Sequence, residues 1–291
     1  MNRMIHGFFN RCVGGIAGHN LKLAIQLQYL GSFGRLPDLK RPKTINEKMQ
    51  YLKLYTYKDD PLITQCADKY AVREYIHRKD LDPIMPELYG VYRTAEEIEW
   101  DKLPEKFVLK CNHGSGFNIL CKDKSILDVE MAKEKLTGWL ATEFGRRSLE
   151  PHYKSISRRI IAEEYLGDDI HTYKFYCFNG EPRVLYVSSN EDGVYDKYYD
   201  YFDMDWNHLK VGLRGHLVHN DDEAPSAPSN FSKMKEICGV LSSDFPFVRV
   251  DLYDVESKVY FSELTFTPTG GKMHLNPPET EKIWGEWLTL P

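Results

Sequence analysis

The sequence lacks a Cys-x-x-Cys pair, and its six cysteines, at 12, 66, 111, 121, 177 and 238, have no histidine at ligand spacing. Thiols so scattered exclude a disulfide framework and a cysteine zinc site, and suit a reducing, cytoplasmic compartment. No apolar run approaches the ~20 residues of a membrane span, and no dense Lys/Arg block is present. With a formal net charge of −5 and a pI near 6.1, a nucleic-acid partner is not expected. The opening MNRMIHGFFNRCVGGIAGHN has two arginines but neither an apolar signal-peptide core nor a small-residue cleavage site. It reads as a helix packing on the body, leaving peripheral association with the inner face of a membrane as the only membrane role. Internal repeats, low-complexity tracts, a GxxxxGK[ST] loop and a Ser-His-Asp or Cys-His signature are absent too.

What is present is enough apolar sequence, 42% of 291 residues, to bury the core of two or three lobes around one cleft. Residues 20–58 read as helical, interrupted by GSFGRLPDLKRPK; in TINEKMQYLKLY, Thr44 and Glu47 form a capping-box pattern. Residues 61–79 read as one helix carrying Asp68, Lys69 and Arg73. From Phe107 strands dominate: FVLK, ILCK, RIIAEEYL, TYKFYCFNGEPRVLYVSS and YYDYFDMDW, with helices at LDVEMAKEKLTGWLATEFG and FSKMKEICGVLSS. Mixed helices and antiparallel hairpins predict an α+β cleft protein rather than a doubly wound parallel sheet. The boundaries expected are a helical segment at 1–60, an α/β part at 61–105, a small lobe at 106–166 and a large lobe at 167–291.

RVDLYDVESKVYFSELTFTP, residues 249–268, reads as two strands, each with an acid where packing favours an apolar residue: Asp251 and Glu263. A register pairing positions that sum to 514 sets the two opposite each other and on one face, with Arg249 and Thr265. Val250, Leu252, Leu264 and Phe266 then form the core face. Carboxylates that close repel unless a cation lies between them. Oxygen-only donors suit Mg²⁺ completed by water and phosphate. A solvated sheet face with Arg249 pairing one acid would contain the same residues.

Upstream, FVLKCNHGSGFN puts Lys110 at a strand end before Gly114, Ser115 and Gly116, where backbone N–H groups can approach phosphate. An ordinary hairpin turn has the same composition. IIAEEYLGDD runs a hydrophobic strand into acids, and Lys174 stands mid-strand among aromatics, where a cation calls for an anionic partner. Arg214, His216, Lys272 and His274 flank the hairpin in loops where a carboxylated acceptor could dock, or are surface loops. His216 and His219 lack a third ligand. Asp203-Met204-Asp205 has the DxD pattern of a glycosyltransferase metal motif, though it also fits an aromatic strand and turn.

Taken in order, TINEKMQYLKLY, DKYAVREYI, FVLKCNHGSGFN, IIAEEYL, YKFYCFNGEP, RVDLYD and FSELTFTP resemble the TupA-like branch of the ATP-grasp superfamily, over about residues 40–275. Members of that branch are linked to bacterial capsule, teichuronopeptide and other polysaccharide synthesis. The resemblance implies two α+β lobes clasping ATP with Mg²⁺. Lys110 would be the nucleotide lysine, and His113, Gly114, Ser115 and Gly116 the loop over the phosphates. Glu163, Glu164, Tyr165 and Leu166 would be the adenine hinge, with Asp168 or Asp169 near the ribose. Lys174 would be a second phosphate lysine, Arg249 would steady the acyl-phosphate region, and Asp251 and Glu263 would hold magnesium. Thr265 stands where many relatives have the better metal ligand Asn. The implied reaction joins an amine or amino acid to a carboxylate, here on a sugar, through an acyl phosphate. A sugar phosphotransferase could use the same cleft.

Overall fold

The computed structural model describes residue 13 and residues 15–168, 170–191 and 194–291. The helix expected at the very N-terminus falls largely outside these. Helices α1 (Leu21–Phe33) and α2 (Ile45–Tyr55) come first. Thr44 accepts from the Glu47 N–H while the Glu47 carboxylate accepts from the Thr44 N–H, so the expected capping box forms.

The single helix expected over 61–79 is two, α3 (Pro61–Ala67) and α4 (Val72–Arg78). Asp68 breaks it: its backbone is extended, and its carboxylate accepts from the Tyr70 and Ala71 N–H groups at 2.8 and 3.1 Å. A short acidic side chain competing for backbone donors is a standard helix interruption. The break turns Lys69 out of helical register.

One sheet is built from β1 (Leu88–Tyr92), β2 (Phe107–Cys111), β3 (Asn118–Cys121) and β4 (Ile160–Glu164), ordered β1-β4-β2-β3 and antiparallel throughout. Phe107, Leu109, Cys111, Ile160 and Ala162 share a core with Leu136 of α5 (Val129–Ala141). Val108 pairs with Glu163, so Lys110, two residues on, shares the opposite face with Glu163.

The second sheet contains β5 (Thr172–Phe178), β6 (Glu181–Glu191), β7 (Val194–Asp203), β9 (Phe247–Val255) and β10 (Lys258–Thr265), in the order β10-β9-β5-β6-β7. Val250, Leu252, Leu264 and Phe266 are buried, as expected, in a core shared with Met234, Ile237 and Leu241 of α6 (Phe231–Ser242). A two-stranded ribbon, β8 (Gly212–Leu213) with β11 (Leu275–Asn276), and α7 (Thr280–Trp287) complete the chain. Among the described residues no helix is long and apolar enough to cross a membrane, and the five described cysteines are buried and unpaired.

Candidate active site

The hairpin β9–β10 closes through Glu256 and Ser257, both left-handed at φ 50° and 62°, so that Val255 faces Lys258. That turn alone pairs positions summing to 513, which would set Glu263 against Val250 and turn it toward the core. A bulge at Ser262 adds one residue, and beyond it Glu263 lies opposite Asp251 and Thr265 opposite Arg249. The register expected at the site is therefore present, but a bulge creates it.

On the next strand, Lys174 lies opposite Asp251, so one row across three strands reads Glu263, Asp251, Lys174. Lys174 Nζ bonds Asp251 Oδ2 at 2.9 Å. The Arg249 guanidinium forks onto the same carboxylate at 2.6 and 2.7 Å, a planar match of donors and acceptors. It also donates to Thr265 Oγ1 at 3.1 Å and lies 3.4 Å from Glu263 Oε1, onto which the threonine hydroxyl donates. The Asp251 side chain is 0% exposed and that of Glu263 26%, so only the second opens to the crevice.

Lys69, to which the sequence reading gave no role, completes the cluster. Its Nζ donates to the Gly114 carbonyl at 2.7 Å and pairs with Glu263 Oε2 at 3.1 Å. Asn112 anchors it from below: its carbonyl accepts the Lys69 N–H at 3.1 Å and its amide donates to Asp68 at 2.8 Å. One lysine thus ties the glycine loop to the hairpin. The signal was the Asp-Lys-Tyr triplet in DKYAVREYI, legible only once the helix break is known.

Lys110 pairs with Glu163 at 2.8 Å, and Arg73 of α4 takes the other Glu163 oxygen at 2.8 Å. Burial disfavours the Lys110 charge, yet Glu163 foremost, then Tyr253 and Glu263 across the crevice, hold its pKa above the ordinary lysine value. Lys110 thus lies within electrostatic reach of Glu263. Burial likewise opposes the charge of Glu163, and Lys110 with Arg73 outweighs it, keeping its pKa below the usual range.

The remaining residues singled out in the sequence divide by place. His113 is buried in the smaller sheet's lobe, its Nε2 3.2 Å from the Trp139 carbonyl. Gly114 packs on Phe117, whose ring lies 2.5 Å from where a Cβ would stand, and Gly116 adopts φ +73° beside exposed Ser115. Glu164 accepts from the Glu87 N–H at 3.1 Å, and the Tyr165 hydroxyl donates to Asp168 at 2.5 Å. Leu166 is half-buried past the strand end, whereas Asp169 lies outside the described residues. Asp203 is committed to a turn, accepting from the Asp205 and Asn207 N–H groups at 2.9 and 2.8 Å, on the strand farthest from β10. His216 stacks on Tyr199 at 3.6 Å, and His219 bonds Asp200 at 2.7 Å.

Chemically, Lys69, Lys174 and Arg249 face two carboxylates. Among the described residues no three acidic, cysteine or histidine side chains converge as a metal site. The donors are Glu263, Asp251 and the Thr265 hydroxyl, all oxygen, which fits Mg²⁺ provided phosphate and water complete its shell. Because cations already surround the acids, the cluster is matched to a metal arriving with a polyanion rather than alone.

Burial raises the Glu263 pKa, but Lys69, then Lys174 and Arg249, together bring it from 4.5 to about 2. Its folded pKa lies below the unfolded one, so its stabilisation is present above pH ~4.5 and lost as pH falls toward ~2. Urea titrations from pH 5 to 2.5 are expected to show an acid destabilisation that Glu263→Gln removes. Equal slopes in both proteins would refute the pairing.

The sequence profile described as TupA-like ATPgrasp matches residues 47–289. No curated protein gives a significant sequence match. Among solved structures, an L-amino acid ligase from Bacillus licheniformis aligns with TM-score 0.48 and 13% identity, covering 88% of this chain and 58% of that one. A D-alanine–D-alanine ligase from Bacillus anthracis complexed with ATP aligns with TM-score 0.43 and 14% identity, covering 69% and 55%. An N5-carboxyaminoimidazole ribonucleotide synthetase in its ADP complex gives 0.44 and 11%, covering 76% and 50%. The chain thus spans between one half and three fifths of the length of these three.

Proposed function

The chain belongs to the TupA-like ATP-grasp family, and on that premise we propose that it is an ADP-forming ligase joining a carboxylate to an amine. The observation that carries this is the row Glu263, Asp251, Lys174 on one sheet face, tied by Lys69 to the glycine loop.

In this reading Lys69, Lys110 and Lys174 hold the triphosphate, and the backbone of residues 163–166 flanks the adenine while the Glu163 side chain stays with Lys110 and Arg73. Asp251, Glu263 and Thr265 hold magnesium together with phosphate oxygens. The metal, when bound, neutralises charge on the phosphates. The protein's part is positioning and charge matching. A substrate carboxylate oxygen attacks the γ-phosphorus and ADP leaves. The amine then attacks the acyl carbon, inorganic phosphate leaves and the amine gives up a proton. Arg249, fixed by Asp251 and with its Nη2 between Thr265 and Glu263, faces the developing charge on the transferred phosphoryl group. The family's link with surface polysaccharides supports a sugar carboxylate as acceptor.

The test is a product analysis. With Mg-ATP, a uronic acid and an amine panel, a ligase yields ADP, free phosphate and an amide in equal amounts. Phosphate retained on the sugar makes the protein a phosphotransferase. Stabilisation by a Mg-UDP-sugar but not by Mg-ATP overturns the reading altogether.

Lys69→Met is expected to weaken ATP binding roughly 10–100-fold, or about 1.4–2.8 kcal/mol, since one phosphate-facing cation is lost. Because Lys69 is a partly exposed partner of an acid that keeps Arg249, Tm should move little. Calorimetric titration of ATP beside a melting curve checks both halves.

A further inference from the structure

Beyond the hairpin, the chain runs from Thr265 into a loop clamped by α2. Asn46 exchanges two hydrogen bonds with Met273 at 2.7 Å each, Gln50 donates to the Gly271 carbonyl at 2.6 Å, and Lys53 donates to the Gly270 carbonyl at 3.0 Å. The clamp fixes Lys272 and His274, which lie two residues apart. The β8–β11 ribbon adds Arg214: its N–H donates to the His274 carbonyl at 3.0 Å, one step beyond the pair Leu213–Leu275. Directly opposed residues of an antiparallel pair share a face, so Arg214 and His274 project together. From α1, Ser32 Oγ lies 3.0 Å from His274 Nε2, and Phe33 stacks on the imidazole at 4.5 Å.

Arg214 and His274 thus share one face, Lys272 stands in the clamped loop near enough for its charge to act on His274, and among the described residues no ion pair joins any of the three to an acid. Glu150, the acid whose charge Lys272 feels, takes its hydrogen bond from Thr267 instead. The patch draws Lys272 and His274 from the loop that leaves β10 directly after Thr265. Burial, then Arg214 and Lys272, keep His274 below the ordinary histidine pKa.

We propose that Arg214, Lys272 and His274 form an acceptor subsite that binds a phosphate ester carried by the substrate, apart from the carboxylate that reacts. An arginine, a lysine whose charge burial disfavours until an anion arrives, and a histidine able to gain a proton match a dianion better than a carboxylate, which one arginine fork satisfies. The clamp from α2 keeps the three in place before anything binds. The proposal rests on the ligase reading for calling its ligand the acceptor.

The experiment follows the His274 imidazole by ¹H–¹⁵N NMR across pH, assigned with His274→Gln, in protein saturated with Mg-AMP-PNP so that the nucleotide site is filled. Methyl phosphate at ~20 mM is expected to raise the His274 midpoint by ~1 unit, the low end for one nearby opposite charge. Arg214→Met, at an exposed position, should abolish most of that shift while leaving AMP-PNP affinity unchanged, and Lys272→Met should do the same. No shift, or an equal shift in both variants, overturns the subsite. A shift of the same size with acetate overturns the choice of phosphate, and a response to inorganic phosphate alone overturns its assignment to an acceptor ester. If AMP-PNP does not bind at all, the ligase reading fails instead, and the phosphate response is still read separately.

Discussion

Asp251→Asn should unfold the protein far more readily than Glu263→Gln, although both should lose ATP-dependent ligation. Asp251 is fully buried and is the shared partner of Arg249 and Lys174. Removing its charge leaves Lys174 without its paired carboxylate and Arg249 with only the longer contact to Glu263, a defect that costs about 3–5 kcal/mol, or roughly 10 °C in Tm. Glu263 is partly open to the crevice, and Arg249 keeps its fork on Asp251 when Glu263 is neutralised. Its loss should cost about 1.5 kcal/mol, the low end for a hydrogen bond to a charged group. Ligation should fall by about 10²–10³ in each, as when one preorganised electrostatic contact is deleted. Chemical denaturation and single-turnover ADP formation, run on both variants, separate the two effects. Similar stabilities would show that the burial asymmetry between the acids is without consequence.

Glu163→Gln should behave as a core defect rather than a nucleotide-recognition defect. The sequence places Glu163 where an acidic side chain could meet adenine, but its oxygens are bound by Lys110 and Arg73 in the interior. Neutralising it leaves both cations facing an amide that carries its own donors. A loss near 3 kcal/mol is expected on the buried-pair scale, with the ratio of ATP to GTP affinity unchanged. Urea midpoints and competitive nucleotide titration supply the numbers. A collapse of the ATP preference at full stability would return Glu163 to the adenine edge.

The two acids illustrate how unevenly the sequence disclosed its site. Strand periodicity sorted the hairpin into a core face of Val250, Leu252, Leu264 and Phe266 and a polar face, because side chains alternate whatever the partner strand does. Cross-strand register does not follow from alternation. The tight turn at Glu256 and Ser257 selects one parity, and the bulge at Ser262 restores the other, so the facing of Asp251 and Glu263 depends on backbone geometry that residue types do not encode visibly. Lys69 was missed for a related reason. Periodicity ran one helix through residues 61–79, and only the hydrogen bonds of Asp68 show that it stops.

The sequence by itself determined the α+β class, the capped helix at Thr44, the strand pair carrying the acids and the order of segments that marks the family. Each depends on interactions a few residues long or on alternation along one strand, and so can be read linearly. Tertiary structure decided which cation meets which acid. Lys174 reaches Asp251 from 77 positions away, Arg73 reaches Glu163 from 90 positions away, and Lys69 joins the glycine loop to Glu263. Buried charges must be matched by whatever opposite charge the packing brings alongside, and that choice belongs to the arrangement of the sheets rather than to any local run of residues.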